Sequence, residues 1–297
     1  MNIDKLTPVV VGEVLLDVFP GKEGVLGGAP FNVACHLKGL GLNPVFISRI
    51  GDDPEGKRVI ERMDNWDIST DFLETDTSHP TGTVQVLLED GHPSFEILPE
   101  QAYDYIEGSR LAGIDLAEAG LLYCGSLILR SPSPAKIIRQ ILDETGLPLF
   151  VDLNLRAPWY SPESIDYLLK TATWLKVSEE ELSVVLNGRE VGPEEFLTEG
   201  PAICENLGLD RLIVTYGAKG AAAADPGEAF FSPPKVPGKI ANTVGAGDSM
   251  SAMMIRGILQ KTPIDTSLEL GVRIASAVCT IDSAVPREPG DFYSGIR

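Results

Sequence analysis

The chain has 297 residues, of which 43% are hydrophobic and 23% charged, a globular composition that excludes disordered and fibrous proteins. Its 24 Lys and Arg residues against 43 Asp and Glu residues give a formal net charge of −19. Such a surface repels phosphate backbones and anionic lipid, so we expect neither nucleic acid nor membrane as a partner. An anionic small molecule would have to be captured by helix N-termini and a few placed cations.

The four cysteines, Cys35, Cys124, Cys204 and Cys279, lie far apart and form no Cys-x-x-Cys pair. This spacing disfavours a zinc site or a disulfide framework. No stretch approaches the ~20 apolar residues of a membrane span, and the N-terminal residues lack the pattern of a signal peptide. We therefore expect a soluble protein of a reducing cytoplasm.

Strand and helix patterns alternate along most of the chain. Short apolar runs predict strands at residues 9–12, 44–48, 120–124, 147–152, 174–177 and 212–215. Amphipathic spacing predicts helices at 30–40, 55–66, 134–145 and 179–186. This order indicates an α/β fold with a mostly parallel sheet and helices on both faces. We expect one domain spanning residues 1–297.

One section departs from this alternation. Strand-like runs at 83–89 and 93–98 flank Asp90-Gly91, a strong hairpin signal, and residues 15–19 predict another short strand. Together they predict a small antiparallel sheet inserted at about residues 13–28 and 81–99. This sheet could act as a lid over a ligand, or it could be an ornamental hairpin; the pattern leaves both open.

The segment Asn242-Thr-Val-Gly-Ala-Gly-Asp-Ser-Met250 precedes a helical pattern. Gly245 and Gly247 permit a tight turn in which the N–H groups of Ala246, Gly247 and Asp248 converge on an anion at the positive end of the helix. The Asp248 carboxylate suits a base that accepts the proton of an attacking hydroxyl. Alternatively, Asp248 only caps the helix.

A second glycine-rich turn, Gly27-Gly-Ala-Pro-Phe-Asn32, places the Asn32 amide in a first helical turn at the same end of the sheet. Asp17 follows the first strand, where a carboxylate could accept hydrogen bonds from a polyol. From the residues alone, a solvated aspartate at a strand end is the favoured explanation of this position.

The order of these two motifs resembles the ribokinase-like (PfkB) family of sugar kinases and, within it, the bacterial fructokinases. The resemblance runs from about residue 9 to about residue 258 and includes the segments at 47–56 and 151–156, the latter followed by Trp159. It implies a ribokinase-like three-layer α/β/α fold with a mostly parallel sheet and a small β-sheet lid. It also implies ATP-dependent, magnesium-dependent phosphorylation of a primary sugar hydroxyl, with fructose as the expected sugar.

The resemblance assigns roles to matching positions. Asp248 becomes the catalytic base, and Gly245, Ala246 and Gly247 complete the anion hole for the γ-phosphate. The implied sugar-binding residues are Asp17, Gly28, Asn32 and Arg156. Arg156 could contact the sugar or neutralise the transferred phosphate, or it could form a structural ion pair.

A second set of positions is implied on the nucleotide side. Lys176-Val-Ser-Glu-Glu-Glu181 matches the family's Asn-x-x-Glu motif with Ser in place of Asn. Glu181 would hold the water shell of magnesium, although the same residues also form a capping box. Thr215-Tyr-Gly-Ala-Lys-Gly220 resembles the turn that receives the nucleotide, and it could also be a plain hairpin turn. The implied nucleotide-binding residues are Lys176, Ser178, Thr215, Gly217 and Gly220.

The sequence departs from the family pattern at Asn242, where Asp is frequent, and at 279–286, which lacks the usual Gly-Ala pair. We therefore expect weak dependence on a monovalent cation. His36, His79 and His92 show no ligand spacing, and we expect them on a helix surface or in loops.

Several other functions are weighed against a fructokinase. Kinases for 2-keto-3-deoxygluconate, ribose or a nucleoside are the nearest alternatives. A non-catalytic sugar-binding relative would not need a base at position 248, and a Rossmann dehydrogenase would need a G-x-G-x-x-G motif after the first strand, which is absent. A homodimer that pairs through the lid is possible within this family.

Overall fold

Strands and helices alternate along the part of the chain that the computed structural model describes, which comprises residues 7–18, 21, 23–89, 92–114, 118–235 and 239–296. The strands are β1 (Thr7–Val11), β2 (Leu15–Val18), β3 (Val25–Gly27), β4 (Val45–Gly51), β5 (Leu73–Asp76), β6 (Gly82–Glu89), β7 (His92–Ile97), β8 (Ala119–Gly125), β9 (Leu149–Asp152), β10 (Trp174–Ser178), β11 (Arg211–Thr215), β12 (Ala221–Ala224) and β13 (Ala229–Ser232). The helices are α1 (Ala29–Gly39), α2 (Pro54–Asn65), α3 (Pro132–Thr145), α4 (Pro162–Thr171), α5 (Glu179–Val185), α6 (Pro193–Asn206), α7 (Ala246–Leu259) and α8 (Ile264–Val278).

The large sheet has the strand order β13-β12-β11-β10-β9-β8-β1-β4-β5. The strands from β11 to β5 in this order run parallel, whereas β12 and β13 pair antiparallel at one edge. The apolar runs that predicted strands are almost wholly buried, as buried parallel strands require. The prediction of a mostly parallel sheet is confirmed.

Successive side chains of each strand point to opposite faces of the large sheet, and each face is covered by helices. On β1, Val10 joins a core with side chains of α1, α2, α7 and α8. Its neighbours Val9 and Val11 join a second core with side chains of α3, α4, α5 and α6. Two separate cores on either side of one sheet confirm the predicted three-layer arrangement.

A second, four-stranded sheet has the order β3-β2-β6-β7. Strands β6 and β7 pair antiparallel as predicted, and the Asp90-Gly91 turn lies outside the described residues. The prediction of a wholly antiparallel sheet was wrong, because β2 and β6 pair in parallel. Strand β2 directly follows β1, and β6 directly follows β5. Because β1 and β5 run in the same direction in the large sheet, β2 and β6 enter the small sheet in the same direction.

The parallel strands fix where the loops that carry the predicted site residues lie. Strands β1, β9, β10 and β11 all end at the same edge of the large sheet, which is the usual position of a ligand crevice in open α/β sheets. Helices α1 and α7 begin in the glycine-rich turns of the two motifs. Within the described residues, no helix has both the length and the apolar character needed to cross a membrane.

Candidate active site

The first turns of α1 and α7 bring the two glycine-rich motifs together. The side-chain nitrogen Nδ2 of Asn32 donates a hydrogen bond to Oδ2 of Asp248 at 2.8 Å, although the two residues are 216 positions apart in the chain. Gly28 precedes α1 with φ of 101°, and Gly245 precedes α7 with φ of 81°. Both helices therefore begin in backbone conformations that favour glycine.

The turn before α7 packs closely against the C-terminal segment. A Cβ atom on Gly245 would lie 2.4 Å from the main-chain oxygen of Ala284, so only glycine fits. Asn242 holds the turn: its Oδ1 accepts the N–H of Val244 at 2.8 Å, and its Nδ2 donates to the main-chain oxygen of Ile281 at 2.7 Å. These contacts tie the turn to the C-terminal segment.

Not all of the predicted anion-hole amides are equally free. The N–H of Ala246 donates to the main-chain oxygen of Thr243 at 3.4 Å, which is a long and therefore weak hydrogen bond. Gly247 and Asp248 lie in the first turn of α7, where N–H groups have no acceptor within the helix. These two amides and the helix dipole make the start of α7 suited to an anion.

The environment of Asp248 makes it a better proton acceptor than an ordinary aspartate. Burial and, to a smaller extent, the nearby Asp152 carboxylate raise the pKa of this carboxyl to about 6, against the opposing effects of the hydrogen bond from Asn32 and the charges of Lys176 and Arg156. The carboxyl is therefore ionised at neutral pH, with a pKa close to the range that favours general base catalysis.

The ammonium group of Lys176 lies beside the turn that begins α7. It is buried and donates to both carboxylate oxygens of Asp152 at 2.9 Å, and Ser251 donates to the same carboxylate at 2.7 Å. A Cβ atom on Gly247 would lie 3.0 Å from the Lys176 nitrogen. Asp152 on the neighbouring strand thus holds the ammonium group next to the predicted anion hole, and the contact of Lys176 with a nucleotide stays a prediction.

Asp17 and Arg156, two of the predicted sugar-binding residues, both connect to the start of α1 or to Asp248. A Cβ atom on Gly27 would lie 3.3 Å from Oδ2 of Asp17, which places that carboxylate against the turn before α1. Burial raises the pKa of Asp17, and the charge of Arg156 lowers it. The exposed Arg156 acts on both Asp17 and Asp248, so the structure brings these residues and Asn32 into one electrostatic neighbourhood.

Glu13 is part of this neighbourhood and was missed by the motif analysis. Its side chain is buried, and its Oε2 atom has no hydrogen-bond partner among the described residues. Burial raises the pKa of Glu13 to about 7, with a further contribution from Asp248, while the charges of Arg156 and Arg130 act in the opposite direction. In the sequence, Glu13 could have been noticed only as a glutamate two residues after the end of a buried strand.

The family model for the pfkB family carbohydrate kinases matches residues 17–288. The chain belongs to this family. It is 30% identical to a protein of Pyrococcus horikoshii named as a sugar kinase, over 92% of this chain and 88% of that protein. It is 28% identical to a fructokinase of Klebsiella pneumoniae, over 84% of this chain and 83% of that enzyme.

A solved structure supports the same fold. The ATP-bound fructokinase of Xylella fastidiosa superposes with a TM-score of 0.82 at 20% identity and covers 98% of this chain and 99% of its own. The predicted ribokinase-like fold and membership of the sugar kinases are confirmed. The protein is therefore a carbohydrate kinase, a phosphotransferase with an alcohol group as acceptor.

In this sugar kinase the predicted capping box at the start of α5 is present. Ser178 accepts the N–H of Glu181 at 3.2 Å, and Glu181 Oε2 accepts the N–H of Ser178 at 2.8 Å. The other carboxylate oxygen, Oε1, accepts the N–H of Leu155 at 2.7 Å. Glu181 is therefore fixed by the main chain at two strand ends, and its role towards magnesium stays a prediction.

The predicted nucleotide turn of the kinase is also a hairpin. Strands β11 and β12 pair antiparallel, with Thr215 opposite Ala221. Gly217 has φ of 56° and Gly220 has φ of 115°, and a Cβ atom on Gly220 would lie 2.3 Å from the main-chain oxygen of Ser232. Both glycines are thus required by the turn itself, and their contact with a nucleotide stays a prediction.

The expectation for the histidines was wrong for His36. This ring is fully buried in α1, with Nε2 donating to the main-chain oxygen of Ala284 at 3.0 Å and Nδ1 lying 2.8 Å from the Tyr293 hydroxyl. Burial lowers the pKa of His36 to about 4, so the ring is neutral. His79 lies in a loop as expected, and nothing is described of the His92 side chain.

Proposed function

We propose that this sugar kinase transfers the γ-phosphate of ATP to a primary hydroxyl of fructose. The observation that carries the proposal is the 2.8 Å hydrogen bond between Asn32 and Asp248, which joins the sugar-side motif to the start of α7. Relatives named fructokinase, at 27–28% identity over most of the chain, support fructose as the sugar.

The sugar lies at the mouth of the site in this proposal. Asp17 accepts hydrogen bonds from sugar hydroxyl groups, and Asn32 accepts through its Oδ1 and donates through its Nδ2. Gly28 lets the main chain approach the sugar closely. The exposed Arg156 offsets the repulsion between the carboxylates of the site and the incoming phosphate. The primary hydroxyl is held against Asp248.

Asp248 then accepts the proton of that hydroxyl as its oxygen attacks the γ-phosphorus. The new P–O bond forms while the bond from the γ-phosphorus to the β–γ bridging oxygen breaks, and ADP leaves with that oxygen. The N–H groups at 245–248 stabilise the charge on the transferred phosphoryl group, and the positive charge of Lys176 behind Gly247 adds to the same field. Asn32 orients the Asp248 carboxylate throughout.

The donor set fits a magnesium ion that is held mainly by phosphate and water. Within the described residues, no cluster of three or more His, Cys, Asp or Glu side chains could enclose a metal, and Mg²⁺ commonly keeps several waters when it binds nucleotide phosphates. Glu181 can accept hydrogen bonds from such waters while its two main-chain contacts hold it in place. When bound, Mg²⁺ supplies charge neutralisation between the phosphates.

The nucleotide side of the proposal relies on residues of β10 and of the turns that follow β10 and β11, namely Lys176, Ser178, Thr215, Gly217 and Gly220. The four-stranded sheet serves as the lid over the sugar. Location in the cytoplasm and a homodimer formed through the lid stay predictions. Measurement of the mass in solution tests the dimer.

A screen of ADP release tests the proposal. Purified kinase with ATP and Mg²⁺ is incubated with ketohexoses, pentoses, keto-deoxy acids and nucleosides. We expect the highest kcat/KM with fructose, and phosphorylation at a primary hydroxyl by NMR. A higher kcat/KM with ribose, a nucleoside or 2-keto-3-deoxygluconate would refute fructose as the substrate, and no ADP release with any acceptor would favour a non-catalytic relative.

A further inference from the structure

Helix α1 touches two segments that adjoin the predicted anion hole. Asn32 and His36 are four positions apart, so their side chains lie on the same side of the helix. Asn32 donates to the Asp248 carboxylate in the first turn of α7, and His36 bonds to the main-chain oxygen of Ala284. Ala284 belongs to the C-terminal segment, by which we mean residues 279–296. One face of α1 thus holds both the proposed base and this segment.

The two nitrogens of the His36 ring have fixed roles. The main-chain oxygen of Ala284 can only accept, so Nε2 carries the proton and donates it at 3.0 Å. Nδ1 then accepts the hydrogen of the Tyr293 hydroxyl at 2.8 Å. Burial lowers the pKa of His36 to about 4, so the ring keeps this single proton at neutral pH. Each nitrogen therefore holds a different residue of the C-terminal segment.

The oxygen that His36 binds lies against the turn that begins α7. A Cβ atom on Gly245 would overlap both the main-chain oxygen and the Cα atom of Ala284, so the two main chains pack with no side chain between them. Gly245 precedes the first turn of α7, whose N–H groups are proposed to bind the transferred phosphoryl group. Because main-chain atoms packed this closely leave no free space, a shift of Ala284 either moves the turn or opens a gap beside it.

The bond from His36 acts at the residue that supports the turn. Asn242 reaches the C-terminal segment three positions earlier, at the main-chain oxygen of Ile281, whereas His36 binds Ala284, which packs on Gly245 itself. A buried carbonyl that loses its donor needs another partner, so loss of the His36 bond should displace Ala284. A displacement of about 1 Å can lower the rate of a reaction about 100-fold when it reaches the groups that position the reactants.

We propose that His36 is a positioning residue for phosphoryl transfer: its bond to Ala284 fixes the turn at Gly245 and, through that turn, the N–H groups that bind the transferred phosphoryl group. This assignment rests on the proposed anion hole at the start of α7. His36 contacts neither the sugar nor the nucleotide, and it exchanges no proton during the reaction. Helix α1 then acts twice, with Asn32 orienting the base and His36 holding the anion hole.

Two amide variants of His36 separate the two bonds of the ring. The longer side chain in His36→Gln brings its amide nitrogen to the place of Nε2, where it can donate to Ala284. The shorter side chain in His36→Asn ends at the place of Nδ1 and can pair only with Tyr293. Tyr293→Phe is a further control, because it removes one buried hydrogen bond of the same ring and keeps the bond to Ala284.

The measurements are kcat/KM for ATP at saturating sugar, the Kd of the sugar without ATP by calorimetry, and the Tm. In His36→Asn we expect kcat/KM for ATP to fall at least tenfold while the Kd of the sugar stays within twofold. His36→Gln and Tyr293→Phe should keep kcat/KM for ATP within threefold, although all three variants lower the Tm. Values of kcat/KM for ATP that agree within twofold in His36→Asn and His36→Gln, or that follow the loss of Tm across the three variants, would overturn the proposal.

Two further outcomes are decided with the same protein. If His36→Asn does not fold, NMR of the wild-type kinase with ¹⁵N-labelled histidine decides: saturating AMP-PNP and Mg²⁺ should shift the Nε2 resonance of His36 by more than its line width, and an unshifted resonance overturns the role. Gly245→Ala separates the two proposals. An unchanged KM for ATP in that variant removes the anion hole itself, whereas a raised KM together with an unaffected His36→Asn overturns only the role of His36.

Discussion

Replacement of Asn32 by Ala should move the pH dependence of the kinase. The bond from Asn32 is one of the interactions that lower the pKa of Asp248, which burial raises to about 6. A hydrogen bond to a charged group is worth about 1.5–3 kcal/mol, and 1.36 kcal/mol corresponds to one pKa unit. Without that bond, the pKa of Asp248 should rise by about one unit or more.

The base must be ionised to act, so activity is present above the pKa and is lost as the pH falls through it. With a pKa of about 6, the wild-type kinase keeps about half of its plateau activity at pH 6. Asn32→Ala should keep about a tenth or less at the same pH. The KM for the sugar should also rise, because the amide is a proposed sugar contact.

The assay is kcat/KM for the sugar between pH 5 and pH 9, with Asn43→Ala as the control. Asn43 is exposed and bonds only to Lys38 among the side-chain contacts of the described residues. Glu13 titrates in both enzymes, so the difference between their profiles isolates Asp248. An Asn32→Ala profile whose midpoint coincides with that of the wild type would refute the role of this bond.

Three further variants test other parts of the site. Glu181→Gln should raise the magnesium concentration that gives half of the maximal rate, with a smaller effect on thermal stability. Ser178→Ala should lower the free energy of unfolding by about 1 kcal/mol, because it removes a helix cap. If Glu181→Gln leaves the magnesium dependence unchanged, Glu181 serves only in the capping box. Gly245→Ala should raise the KM for ATP at least tenfold, because its Cβ would lie 2.4 Å from the oxygen of Ala284, and an unchanged KM would argue against the anion hole. Asn242 ties the turn before α7 to the C-terminal segment without a cation. Replacing potassium by a bulky organic cation should therefore change kcat by less than about threefold. A tenfold loss of kcat that potassium restores would contradict this expectation.

The sequence predicted those parts of the site that depend on local patterns. The turns before Asn32 and Asp248 each carry a glycine at positive φ, and glycine spacing is visible without any tertiary contact. The strand ends could be placed because buried parallel strands form short apolar runs. The helices α4, α6 and α8 were not predicted, although their first turns carry Pro or follow it.

Contacts between distant residues could not be predicted in this way. Nothing in the segment around Lys176 shows that Asp152, 24 positions earlier, holds its ammonium group. The contact between His36 and Ala284 spans 248 positions, so the spacing of histidines said nothing about it. Glu13 has no motif of its own, and its burial near Asp248 becomes visible only in the structure.

The most direct test of the central claim is the turnover of Asp248→Asn. The variant keeps the size and polarity of the side chain and can still pair with Asn32, so the fold and sugar binding should be retained in calorimetry. Without the base, kcat should fall by about 10²–10⁴. Turnover within a few-fold of the wild-type value, with sugar bound equally well, would contradict the assignment of Asp248 as the residue that accepts the hydroxyl proton.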